Sequence, residues 1–122
     1  MRILIWFRND LRIRDNKVLA EAVADADEVI PFYCFDRHYD QDLPEGFPRT
    51  GRHRRRFLEE SLRALDMELK NLGAELIFRK NQGTAEAIAE IHQEHPIDAI
   101  YYEELPFFEE QEIAKTVADL AL

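Results

Sequence analysis

Apolar and polar positions alternate along the chain on two length scales, a short apolar run followed by a longer amphipathic stretch, and this succession occurs four times. The opening run, Arg2-Ile3-Leu4-Ile5-Trp6-Phe7, is continuously apolar where a half-buried strand would alternate, which predicts a central parallel strand covered on both faces. After the polar stretch from Arg8 to Arg14, Asp15 can cap a helix with Val18, Leu19, Ala22, Val23 and Ala26 on one face. A second buried strand is expected from about Glu28 to Phe35, with Pro31 counting against it unless the proline sits near the strand's start or at a bulge. A long connection, Asp36 to Thr50, is rich in Asp, Pro and Gly, and connections of that length in a small domain are usually functional or disordered.

Leu58, Leu62, Leu65, Leu69 and Leu72 recur at steps of four and three, so a helix is predicted from about Arg52 to Leu72, with Gly73 ending it. A third strand, Glu75 to Phe78, leads through Lys80-Asn81-Gln82-Gly83 to a helix that Thr84 can cap, with Ala85, Ile88 and Ile91 inward. The fourth strand, Ile97 to Tyr102, leaves through Glu103-Glu104-Leu105-Pro106 into an acidic amphipathic helix, Phe107 to Leu122, with Ile113, Val117 and Leu120 inside.

Strands and helices in strict alternation imply an α/β fold, a doubly wound, Rossmann-like parallel sheet with right-handed crossovers and helices on both faces. With the first strand central, the expected strand order is 3-2-1-4. Such sheets commonly continue to another strand, so the pattern suggests a fragment of something longer that lacks a fifth strand. The 122 residues, 46% of them hydrophobic, fit one domain spanning 1–122 that needs no metal or disulfide to fold.

The net charge of −9 disfavours a stand-alone nucleic-acid binder, because phosphate neutralisation supplies most of that affinity. The charge is uneven, since residues 81–122 hold one Lys and ten acidic side chains while the first 80 residues are balanced. The single Cys34, read as a small buried hydrophobe, and the lack of a signal-peptide pattern point to a reducing cytoplasm. No apolar run approaches the ~20 residues of a membrane span, so no membrane partner is expected.

In an open parallel sheet, ligands bind beyond the carboxyl ends of the strands where the winding reverses. For the order 3-2-1-4 that point lies between the first and fourth strands, so Arg8-Asn9-Asp10 should face Glu103-Glu104, flanked by Asp36-Arg37 and Lys80-Asn81-Gln82. The first loop has no glycine, which excludes a dinucleotide G-x-G-x-x-G turn. Gly46 and Gly51 have phosphate-loop spacing but lack the accompanying Lys and Ser/Thr. A carboxylate at 103 or 104 could accept two parallel N–H bonds from a planar amino-heterocycle such as a pterin or guanine, or could equally be a solvated acidic loop. Arg49, Arg52, Arg54, Arg55 and Arg56 crowd a helix N-terminus, where the dipole disfavours cations; a solvated, ion-paired face and an anion contact are both open. His92 and His95 are three apart on a helix but lack a third ligand nearby in sequence, so no metal is expected; no Ser or Cys elbow supports a nucleophilic triad.

Trp6-Phe7-Arg8-Asn9-Asp10-Leu11-Arg12-Ile13-Arg14-Asp15-Asn16 resembles the opening signature of the DNA photolyase/cryptochrome family, W-F-R-x-D-L-R followed by D-N. Gly46-Phe47-Pro48-Arg49-Thr50-Gly51, then Arg54, Arg56, Phe57, Leu58, Glu60, Ser61 and Leu62, and finally Leu72-Gly73-Ala74-Glu75-Leu76, resemble the DASH-type cryptochrome branch. One departure is Arg37, where the DASH pattern usually has proline after Cys34-Phe35-Asp36.

The resemblance implies a blue-light-driven flavoprotein in which an N-terminal α/β domain holds an antenna chromophore and a C-terminal helical domain, absent from these 122 residues, binds FAD and damaged DNA. The parent would be a deoxyribodipyrimidine photo-lyase that splits cyclobutane pyrimidine dimers with an electron from reduced FAD, or a light sensor; this segment alone would not be an enzyme. The expected antenna is methenyltetrahydrofolate, with flavin or deazaflavin as the other options. By position Glu104 matches the family carboxylate that hydrogen-bonds the pterin ring, Glu103 is second, and Arg8, Asn9, Asp10 and Asp36 complete the expected cofactor-binding set. Expected partners are the protein's own FAD domain and, through the parent, damaged DNA. Two other readings stay open: a free-standing nucleotide-binding module of the universal-stress-protein type, and a structural domain that forms a homodimer through its last helix.

Overall fold

The first strand, β1 (Arg2–Trp6), feeds two separate cores, and that division organises the molecule. In the computed structural model, which describes residues 1–8, 11–36, 52–105 and 108–120, the other elements are α1 (Lys17–Asp25), β2 (Glu28–Asp36), α2 (Arg52–Asn71), β3 (Ile77–Gln82), α3 (Thr84–Glu94), β4 (Ala99–Tyr102) and α4 (Phe108–Ala118). Successive strand residues point to opposite faces. Ile3, Ile5 and, just beyond the strand, Phe7 pack with Leu19 and Ala22 of α1 and Leu62, Leu65 and Leu69 of α2. Leu4 and Trp6 turn the other way onto Ala87, Ile88 and Ile91 of α3 and Ile113 and Val117 of α4. A strand buried on both sides has no polar face to spare, which is why its sequence reads as one apolar run.

The sheet is parallel throughout, in the order β3-β2-β1-β4 expected from the sequence. At its lower end, the Arg2 backbone N–H donates to the Asp98 carboxylate (2.7 Å), the Asp98 N–H donates to the Arg2 carbonyl (2.9 Å), and the Arg2 guanidinium donates to Glu28 (2.8 Å). Pro31 lies inside β2, opposite Ile5. The Phe32 carbonyl accepts from Phe7 N–H, so Phe32 faces β1 and its neighbour Pro31 presents its donor-less nitrogen to the β3 side. Pairing with β3 begins only at Phe32–Ile77, so at Pro31 no ladder bond is forfeited.

Four local expectations are corrected. Asp15 does not cap α1; it sits at φ 54°, a left-handed conformation that Asp tolerates, and the next residue, Asn16, accepts the Leu19 N–H through its side chain (3.0 Å). Lys80, Asn81 and Gln82 are not loop: β3 starts at Ile77 and carries these polar residues to its end, which suits a strand that pairs on one side only among the described residues. Val23 and Leu72, expected inside, are 60% and 70% exposed. Thr84 is the first residue of α3 and not its cap, which is Gly83. The end of α2 is as expected: Gly73 adopts φ 84°, its N–H donates to the Lys70 carbonyl, and Ala74 N–H reaches back to Leu69, a Schellman closure. No described helix is long and apolar enough to cross a membrane.

Candidate functional site: the crevice between β1 and β4

The order β3-β2-β1-β4 puts the reversal of winding between β1 and β4, whose carboxyl ends are level because Trp6 pairs with Tyr102. The strand ends therefore bring two aromatic rings together. Trp6, 4% exposed, and the half-buried Tyr102 lie 5.0 Å apart between ring centroids and are tilted by 50°.

Arg8 follows Trp6 by two positions, and its guanidinium lies 4.4 Å from the centroid of the Trp6 ring, a cation–π contact. One of its terminal nitrogens donates to the Glu103 carbonyl (3.1 Å) and the other to the Glu110 carbonyl (2.6 Å). A single side chain from the end of β1 thus reaches both the loop leaving β4 and the first turn of α4. Within that loop Leu105 is buried, whereas the preceding Glu103 and Glu104 are exposed. The buried leucine holds the loop down while Glu103 and Glu104 stay exposed, and carboxylates there are acceptors suited to a planar ligand rich in N–H groups.

Of the sequence-derived candidates, Arg8, Glu103 and Glu104 converge on this crevice. Asn9 and Asp10 lie outside the described residues, as do Arg37, His38 and the Gly46–Gly51 segment. Asp36 is 8% exposed at the end of β2, and one of its carboxylate oxygens accepts both the backbone N–H of Thr84 (2.9 Å) and its hydroxyl (2.8 Å). Because Gly83 has no side chain, this carboxylate from another strand takes over the capping of α3, where the helix dipole also favours negative charge.

His92 is occupied as well: its Nδ1 accepts the Ile97 N–H (2.9 Å) where the chain leaves α3, and His95 is that helix's C-cap. No cluster of metal-ligating side chains is present among the described residues. Cys34 is buried, with its Sγ 3.7 Å from the Gln82 carbonyl, and burial pushes its thiol pKa up to about 11. An open apolar groove of about 950 Å³ lies between α1 and α2, lined in part by Ile13, Leu19, Val23, Pro31 and Leu72; Arg8, Glu103 and Glu104 do not line it.

The roles of Trp6, Tyr102 and Leu105 were not drawn from the sequence. Trp6 reads as core, which it is, but in an extended segment residues i and i+2 share a side. The pair Trp6 and Arg8 therefore carried a signal for an aromatic ring beneath a cation.

A family model described as DNA photolyase matches residues 3–122. The chain is 38% identical over 115 residues to a cryptochrome DASH of Natronomonas pharaonis, covering 94% of this chain and 24% of that protein. It is 47% identical over 81 residues to a cryptochrome DASH of Xenopus laevis, covering 66% of this chain and 16% of that one. The crystal structure of a Synechocystis sp. PCC6803 cryptochrome superposes with a TM-score of 0.89 at 28% identity, covering 95% of this chain and 24% of that one. An archaeal photolyase from Sulfolobus tokodaii, solved with two FAD molecules, gives 0.79 at 27% identity over 97% of this chain and 26% of that one. The chain thus spans about a quarter of the length of the Natronomonas pharaonis protein and of the Synechocystis chain. None of these is a universal-stress-type nucleotide module, and that reading is without support. Signature residues, strand order and superposition agree that this chain belongs to the DNA photolyase family and resembles the α/β portion of its cryptochromes and photolyases.

Proposed function

We propose that residues 1–122 form the N-terminal antenna domain of a blue-light-driven flavoprotein, and that the β1/β4 crevice binds methenyltetrahydrofolate through Glu104. The observation that carries the reading is the exposed Glu104, fixed next to buried Leu105 at the winding reversal and two residues past Tyr102, whose ring packs on Trp6. A pterin presents a flat ring and adjacent N–H donors, which a carboxylate accepts in parallel. Glu103 is the second acceptor, and Arg8 stands on the β1 side. Bound there, the folate would supply light absorption and pass its excitation on. The chain's own residues bind and orient the ring.

In the parent, a C-terminal helical domain would hold FAD and damaged DNA, and the chemistry would be electron transfer from reduced FAD to a pyrimidine dimer, or light sensing. The −9 charge of this segment agrees with leaving DNA contact to the other domain, and the buried, unpaired thiol of Cys34 agrees with a reducing cytoplasm.

Titration of methenyltetrahydrofolate into the 122-residue chain, followed by quenching of the lone Trp6, tests this. Saturable binding weaker than micromolar is expected, because another domain would complete the site, and Glu104→Gln should weaken it about tenfold, or 1.4 kcal/mol. Equal affinity of Glu104→Gln and the unsubstituted chain overturns the role of Glu104. Sub-micromolar binding overturns the shared-site reading. Flavin is the competing guest, since the Sulfolobus tokodaii photolyase was solved with two FAD molecules; FMN saturating the chain while folate does not would replace the pterin.

A further inference from the structure

We infer that Arg8 is a positioning residue for the antenna crevice: by tying the end of β1 to the β4–α4 loop, it fixes the direction in which Glu104 presents its carboxylate. The inference rests on the pterin reading only for its consequence in binding, because the tie itself exists without a ligand. Three contacts define it: the Trp6 ring beneath the guanidinium, the Glu103 carbonyl on one terminal nitrogen and the Glu110 carbonyl on the other. The first contact seats the guanidinium over the indole. The other two then fix the peptide that immediately precedes Glu104 and the first turn of α4, which follows it. With Leu105 buried on the far side, the short exposed stretch at Glu103-Glu104 is held at both ends.

A planar fork can do this and an ammonium cannot. Arg offers donors in a rigid geometry that reaches two separated carbonyls while the guanidinium sits over an aromatic ring. Lys brings the same charge but a single rotatable donor centre. Attraction of an anionic ligand by charge alone would survive Arg8→Lys; orientation of the loop would not.

The test compares the unsubstituted chain with Arg8→Lys, Arg8→Gln, Glu104→Gln and Arg8→Lys/Glu104→Gln, by two measurements. The first needs no ligand: amide hydrogen exchange at Glu104 and Leu105, with Trp6 emission recorded alongside. Both Arg8 variants should exchange about tenfold faster there while amides in β1 and α2 keep their protection, which also shows that the domain remains folded. The second is methenyltetrahydrofolate affinity. Arg8→Lys should weaken it about tenfold, and should add no further loss once Glu104 is Gln, because the arginine acts through that carboxylate.

Unchanged exchange at Glu104 and Leu105 in Arg8→Lys overturns the inference, as does a binding loss that simply adds to that of Glu104→Gln. If Glu104→Gln itself binds folate normally, the pterin reading fails alone, and the exchange data still decide whether Arg8 holds the loop.

Discussion

One carboxylate oxygen of Asp36 accepts two hydrogen bonds from Thr84, one from its backbone N–H at 2.9 Å and one from its hydroxyl at 2.8 Å, across 48 residues of sequence. Both residues are buried, and the contact fastens the end of β2 to the start of α3. Removing the carboxylate leaves two donors without this acceptor in a dry site. Asp36→Ala should therefore lower unfolding stability by about 2–3 kcal/mol in urea titrations, and Thr84→Val by less, because its backbone N–H keeps the partner. The double variant should lose less than the two single losses added together, since they share one oxygen.

Two leucines, Leu65 inside α2 and Leu72 just past its end, should respond very differently. Leu65 is 1% exposed beneath the sheet, and Leu72 is 70% exposed. Leu65→Ala is expected to destabilise by about 2–5 kcal/mol and Leu72→Ala by no more than about 0.5 kcal/mol, read from denaturation midpoints at constant m.

Cys34 gives a pH signature. Burial raises its thiol from an ordinary 9.0 to about 11, so between those values the folded chain retains a proton that the unfolded chain has released. Stability should be unaffected by this group below about pH 9 and should fall as pH rises toward 11; Cys34→Ala should lack that component of the slope. The native thiol should also react with a disulfide reagent far more slowly than the same thiol in urea.

His92 offers its Nδ1 to the Ile97 N–H at 2.9 Å, closing the exit from α3. His92→Phe keeps an aromatic ring but removes that acceptor, and should destabilise by about 1–3 kcal/mol in the same titrations. Added Zn²⁺ should leave the melting temperature of the unsubstituted chain unchanged, because no cluster of metal-ligating side chains lies among the described residues and His92 Nδ1 is held by the Ile97 N–H.

The strands, the α2 helix and the site of winding reversal were legible because each depends on burial, and burial writes directly into the apolar pattern. Ile3 to Phe7 and the leucines of α2 are examples. What escaped depended on partners distant in sequence. Nothing near Asp36 announces that it caps a helix beginning at Thr84, and polar Lys80 to Gln82 look like loop unless β3 is known to end the sheet. Pro31 reads as a strand breaker until β3 is seen to begin one residue too late to need its missing N–H. In the crevice, Glu104 was reached by position, whereas the Arg8 fork depends on where the Glu103 and Glu110 carbonyls fall in space.

The double-sided burial of β1 means that hydrophobicity alone cannot police a translational error of that strand. Sliding it one residue would swap its faces yet still bury aliphatic side chains on both. The charged bookends supply the missing index: Arg2 is clamped by Asp98 and Glu28 at one end, and Arg8 is anchored to the Glu103 and Glu110 carbonyls at the other. Any displaced alignment would drag one of these guanidinium groups into the oily interior, so the same arginine that frames the crevice also keeps the middle of the sheet in step.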